Sequence, residues 1–118
     1  MIVGIGVDVV DIARFGASLE RTPALRPRLF AQSEQALPLG SLAARYAAKE
    51  GLIKALGGSD GLRWVEIEIV SDAAHRPFFT LSGGSADQVA ARGIDRLHLS
   101  LSHDAGIATA FVVAEADR

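Results

Sequence analysis

Three short stretches of the chain hold residues whose types and spacing could do chemistry. In IVGIGVDVV, Asp8 lies in an apolar run, with Gly4 and Gly6 at the two preceding alternate positions. A carboxylate there is costly if buried alone, so it needs a cation, hydrogen-bond donors or water. The two glycines, on its side of a strand and without side chains, predict open space around it. In RYAAKEGLIKAL, the charges of Arg45, Lys49, Glu50 and Lys54 are threaded through alanines and large aliphatics. Asp8 together with Glu50 would make a two-carboxylate, all-oxygen site, which suits Mg²⁺ with its waters and with phosphate oxygens. In HLSLSHD, Ser102, His103 and Asp104 are adjacent. Neighbours on a strand point to opposite faces, so these three cannot form a Ser-His-Asp relay. His103 at the turn could meet a phosphate or act as a base.

Each of these groups also has a plainer reading. Glu50 and Lys54, four apart on a helix, could be a surface ion pair worth about 0.3–0.5 kcal/mol. Arg45 and Lys49 could snorkel from an apolar stripe to water. His103 could be a polar turn residue, and His75 in AAHRPF reads as surface. Asp11 is best read as the cap of the helix that follows it. Asp8 has the wrong local pattern for a cap, which makes it the first functional candidate. Gly4-Ile5-Gly6 does not extend to a dinucleotide-binding GxGxxG, because position 9 is valine.

The elements that must position these groups follow from periodicity. Residues 2–10 alternate as a strand, Val3, Ile5, Val7 and Val9 on one face and Ile2, Gly4, Gly6, Asp8 and Val10 on the other. A helix follows Asp11. Pro23 and Pro27 punctuate the next stretch, and AQSEQALPLGS reads as a loop or broken helix with Ser33 a candidate cap. The long helix is expected over 41–57, from Ser41 to Gly57-Gly58. Leu42, Tyr46, Leu52, Ile53 and Leu56 share one arc of it, with Arg45 and Lys49 inside that arc. Ala43, Ala44, Ala47, Ala48, Gly51 and Ala55 make a thin opposite side, with Glu50 and Lys54 at its edge. Strands are expected over 64–70, PFFTL and 97–102, with a last strand in GIATAFVVAEA joined to the previous one by HDAG. Gly83-Gly84 reads as a turn before a helix over 85–91. The order β-α-α-α-β-β-α-β-β predicts an α+β fold, a mostly antiparallel sheet packed against a long helix.

At 118 residues the chain is expected to form a single domain over 1–118 that buries its own core. Mean hydropathy is positive, at +0.26, which in so short a chain points to apolar surface shared between subunits. A net charge of −2 gives no bulk reason to expect nucleic acid or an acidic membrane as partner. The absence of cysteine excludes disulfides, thiolate zinc sites and cysteine nucleophiles. The N-terminal apolar run is broken by Asp8 and Asp11 and does not read as a signal peptide or membrane span, so a cytoplasmic protein is expected.

GIGVDVVDIARF, SLAARYAAKEGLIKAL and LHLSLSHDAGIATAFVV, in this order and at these separations, resemble the holo-(acyl-carrier-protein) synthases, the small single-domain branch of the 4′-phosphopantetheinyl transferases. The resemblance runs nearly end to end and implies that family's fold, assembled as a trimer with active sites shared between neighbours. It implies transfer of phosphopantetheine from coenzyme A to a serine of an apo acyl carrier protein, with Mg²⁺ required and adenosine 3′,5′-bisphosphate released, in support of fatty acid or polyketide synthesis. By position, Asp8 and Glu50 match the metal carboxylates. Lys54 matches a lysine near the pyrophosphate, and Lys49 is the lysine that precedes the metal glutamate. Arg45 and His103 match positions near coenzyme A phosphates, and Ser100 and Ser102 the polar face of the late strand. Arg14 matches a basic position used against the acidic carrier helix; Arg21, Arg26 and Arg28 extend the basic charge around it.

The resemblance therefore implies Glu50, Lys54 and His103 as catalytic, and Arg45, Lys49, Lys54, Ser102 and His103 as contacts to coenzyme A. It leaves Glu50, a metal-bound water and His103 open as the base. The stretch between Glu34 and Ser41 is short for the family, and AAHRPF replaces its usual glycine-containing turn. Two other activities fit the same residues: Mg²⁺-dependent hydrolysis of coenzyme A or a related nucleotide pyrophosphate, and a non-catalytic oligomeric binding module.

Overall fold

The computed structural model describes residues 1–117. Strand β1 (Ile2–Asp11) leads into α1 (Ile12–Arg21), a short α2 (Leu25–Leu29) and the long α3 (Leu39–Leu56). Then come β2 (Ile67–Ser71), β3 (Pro77–Leu81), α4 (Gly83–Ala91), β4 (Arg96–Asp104) and β5 (Ile107–Glu115). All pairings are antiparallel: β1-β5-β4 form one sheet and β2-β3 a second, as the α+β expectation requires.

Helix α3 lies across the inner face of the larger sheet, and its small residues set how close it comes. A Cβ added at Gly4 would stand 1.8 Å from the Ala55 carbonyl oxygen, and one at Gly6 1.8 Å from that of Gly51. The space that the two glycines leave is therefore filled by helix backbone, and they permit close approach. The thin alanine side of α3 meets the chain's own β1 and β5 and is not left for a partner. Leu42 and Leu52 on the other arc are equally buried, so the helix is enclosed nearly all round.

The ends of the elements have local causes. Asp11 Oδ1 accepts the Arg14 N–H at 2.8 Å and caps α1 as expected. Gly57, at φ 84°, ends α3 in a Schellman arrangement, with Gly58 N–H bonded to the Ile53 carbonyl and Gly57 N–H to that of Lys54. Helix α3 begins earlier than Ser41, because the Pro38 carbonyl accepts the Leu42 N–H at 3.0 Å and closes a first turn. Ser33 bonds to Glu68 and caps nothing; the second helix is α2, with Pro27 in its first turn where an N–H has no helical partner.

Trp64–Glu66 form a 3-10 turn, so the strand expected from residue 64 starts at Ile67. The Trp64 ring stacks on Tyr46, which holds this segment against α3. Helix α4 absorbs Gly83 and Gly84 instead of leaving them as a turn, because Glu66 accepts both the Ser85 N–H at 3.0 Å and its hydroxyl at 2.8 Å in the first helical turn. The β4-β5 hairpin turns at Ala105-Gly106, both at positive φ. His103 thus lies inside β4, not in the turn.

Candidate active site

Asp8 projects from the inner face of β1 beside α3, where Glu50 and Lys54 stand one turn apart. Lys54 Nζ is 3.1 Å from Asp8 Oδ1 and 3.0 Å from the Val7 carbonyl oxygen. It pairs with Asp8 rather than Glu50, so the surface i,i+4 pair is not what forms. The Asp8 side chain is 17% exposed, and Lys54 supplies the cation that such a carboxylate needs. Glu50 Oε1 instead accepts the Tyr46 hydroxyl at 3.0 Å. The Tyr46 ring is stacked between Phe15 and Trp64, with centroids 4.9 and 5.6 Å away. Burial, and then the neighbouring Glu50 carboxylate, push the Tyr46 phenol up to about 12, so it remains a neutral donor.

Asp8, Glu50, Tyr46, Arg14 and Ser18 line a cleft of about 410 Å³. Among the described residues no three acidic, histidine or cysteine groups cluster as a metal cage. Two carboxylates in an open cleft, each with one oxygen already engaged, fit Mg²⁺, which keeps several waters and takes substrate phosphate oxygens. They do not fit a calcium cage or a zinc centre.

Arg45 and His103 line a different cleft, of about 200 Å³, together with Ser41, Ser71 and His75. His103 shares the α3 side of the sheet, level with Ala108 and Val10. Among the described residues Arg45 Nε has no hydrogen-bond partner, and it lies 3.9 Å from Glu34. Burial lowers the Arg45 pKa, opposed by the Glu34 carboxylate.

Lys49 belongs to neither cleft. It is fully buried, and its ammonium donates to Glu34 Oε1 at 2.7 Å, the Leu29 carbonyl at 2.7 Å and the Trp64 carbonyl at 3.2 Å. The expected coenzyme A contact from Lys49 is thereby corrected: three acceptors use its three N–H bonds and no ligand can reach it. Burial lowers the Lys49 pKa, opposed by Glu34. The helical pattern carried no signal for Glu34, whose carboxylate also accepts the Ala31 and Ile69 N–H groups. Tyr46 was missed as a site residue, although its i,i+4 spacing to Glu50 was there to be read.

Ser100 and Ser102 lie on the outer sheet face, level with Phe111 and Thr109 of β5, and reach neither cleft of their own chain. The same face carries Val3, Ile5, Val7, Val9 and Phe111, all about half exposed. On α1, Arg14 lines the larger cleft, and Arg21 donates to the Ser18 hydroxyl at 3.4 Å. Arg26 is tied to the Gln35 carbonyl at 2.8 Å, which removes it from the basic patch; Arg28 is exposed.

A profile of the 4′-phosphopantetheinyl transferase superfamily matches residues 4–111. A holo-(acyl-carrier-protein) synthase of Leifsonia xyli subsp. xyli is 65% identical over 99% of each chain. One of Streptomyces coelicolor is 52% identical over 97% of this chain and 98% of its own. Among solved structures, the Neisseria meningitidis synthase superposes with a TM-score of 0.91 at 32% identity, covering 98% of this chain and 99% of the other. The Helicobacter pylori synthase, solved in complex with coenzyme A, gives 0.83 at 35% identity over 94% and 99%.

Proposed function

The chain belongs to the 4′-phosphopantetheinyl transferase superfamily, and from this we propose that it is a holo-(acyl-carrier-protein) synthase that moves 4′-phosphopantetheine from coenzyme A to a serine of an apo acyl carrier protein. The observation that carries the reading is the cleft lined by Asp8, Glu50 and Arg14, with Lys54 paired to Asp8, on a chain that matches such synthases nearly end to end.

The carrier serine oxygen attacks the phosphorus that bears pantetheine. The bond from that phosphorus to the adenosine-side oxygen breaks, and adenosine 3′,5′-bisphosphate leaves. Such a transfer needs positioning and charge neutralisation more than covalent chemistry from the protein. Asp8 and Glu50 would hold Mg²⁺, which when bound neutralises the pyrophosphate and polarises the attacked phosphorus. Lys54, 54% exposed, is free to turn from Asp8 to the leaving bisphosphate. Glu50 faces the cleft that the serine must enter and is the group placed to accept its proton. His103 lies in the other cleft, with Arg45, and serves the phosphates at the nucleotide end.

The two clefts of one chain are half-sites. The outer sheet face, with Val7, Val9 and Phe111 beside Ser100 and Ser102, supports docking of a second copy, because a contiguous apolar strip of this kind marks an interaction surface. A homotrimer closed in this way sets the Arg45–His103 half of one subunit, with its neighbour's Ser102, against the Asp8–Glu50 half of the next. Arg14 and Arg21 face the acidic carrier. No described helix is long and apolar enough to cross a membrane; a coenzyme A-dependent synthase of this kind works in the cytoplasm, supporting fatty acid or polyketide synthesis.

The test is the intact mass of an apo acyl carrier protein after incubation with the protein, coenzyme A and Mg²⁺, with an EDTA control. A metal-dependent gain of one phosphopantetheine is expected, lost in Asp8→Asn and Glu50→Gln. Coenzyme A cleavage without any gain on the carrier would make the protein a pyrophosphate hydrolase instead.

A further inference from the structure

His75 closes the β2-β3 hairpin at φ 63°, in the left-handed region that few residues other than glycine adopt, histidine more readily than most but still at some cost. The turn is over-determined by Asp72. Its carboxylate accepts the Ala74 and Arg76 N–H groups at 2.8 and 2.9 Å, and its carbonyl accepts the His75 N–H at 2.9 Å. Strain of this kind persists where the surroundings fix it and concentrates at ligand sites. His75 also lines the smaller cleft, together with Arg45 and His103. Three basic side chains and the hydroxyl-bearing Ser41 and Ser71 meet there, and among the described residues no carboxylate lines it. Glu34 stands behind Arg45, and Asp72 is spent on its own turn and on Arg76 at 3.4 Å.

We infer that His75 is a specificity-determining residue: with Arg45 and His103 it forms a three-sided anion site that recognises the ribose-bound phosphate of coenzyme A and disfavours nucleotides that lack it. This rests on coenzyme A being the substrate. The imidazole donates an N–H to the phosphomonoester, an interaction that a glycine in the same turn could not make.

The test is calorimetric titration of the assembled protein with coenzyme A and with dephospho-coenzyme A, for wild type, His75→Gly and His75→Asn. Both variants suit the left-handed turn, so their melting temperatures should equal or exceed that of wild type. Coenzyme A binding should weaken about tenfold in both, with dephospho-coenzyme A within about twofold of wild type. An unchanged ratio of the two affinities in well-folded variants would overturn the inference and leave the transferase reading standing. A wild-type protein that binds neither nucleotide would overturn both.

Discussion

Replacing Lys49 by methionine separates a structural role from a phosphate-binding one. The change keeps most of the side-chain volume and removes the ammonium from among Glu34, the Leu29 carbonyl and the Trp64 carbonyl. Glu34, 1% exposed, would keep the Ala31 and Ile69 N–H groups and an arginine 3.9 Å away, which is too little for a carboxylate removed from water. Removing one partner of such a buried pair costs about 3–5 kcal/mol. The ammonium also stands 5.0 Å over the Phe30 ring, a contact worth about 1 kcal/mol more. For a domain of this size the loss corresponds to a fall in Tm of about 15–25 °C. Adding Glu34→Gln to Lys49→Met removes the unpaired charge and should restore part of the loss, a coupling of about 1–3 kcal/mol. Urea unfolding at fixed protein concentration measures these differences. At a temperature where the variant is folded, its kcat/KM for coenzyme A should stay within a few-fold of wild type. A Lys49→Met protein as stable as wild type that fails to bind coenzyme A would refute the reasoning.

Other substitutions probe the packing and the clefts. Gly6→Ala drives a methyl group against the Gly51 carbonyl between two rigid elements and should cost at least about 3 kcal/mol in urea unfolding. Tyr46→Phe removes the donor to Glu50, so direct titration with Mg²⁺ should show binding weakened severalfold, with a loss of about 1 kcal/mol in stability. Glu115 is lowered to about 2 by His98 and then Arg96. Its contribution is fully present above its ordinary value near 4.5 and is lost as pH falls through that value toward 2, so Glu115→Gln should flatten the acid limb of stability between those limits. Arg14→Glu should raise the KM for the carrier more than that for coenzyme A, since Arg14 lines the Asp8 cleft and not the one beside Arg45 that takes the nucleotide end.

What the sequence made legible was local. Alternation in β1, the Asp11 cap, the glycine stop of α3 and the hairpin before β5 each follow from a few neighbouring residues. The pairing of Asp8 with α3 came from charge in an apolar strand and from the motif resemblance. The partner of Lys49 was not legible, because Glu34 lies fifteen residues away across a turn-rich segment with no period. Alternation shows that Gly4 and Gly6 make room, but nothing in a single strand says which backbone will come to lie against it. Trp64 fitted a strand by type, but its stacking on Tyr46 holds the segment in a tighter turn. The separation of Arg45 from Glu50 was legible on the helix, but the arrival of His103 from β4 beside Arg45 was not. Positions 45 and 50 differ enough in angle on α3 to open onto different clefts.

That separation is the centre of the account, and mixed assembly tests it. Asp8→Asn and the double variant Arg45→Ala/His103→Ala are each expected to be inactive alone. Co-expressed in equal amounts, they form mixed assemblies in which some sites receive an intact Asp8 half from one subunit and an intact Arg45–His103 half from its neighbour. Transfer to the carrier should then return to about a quarter of the wild-type level. No recovery, with mixed assemblies verified by intact mass, would mean that each chain carries a complete site of its own and would contradict the account.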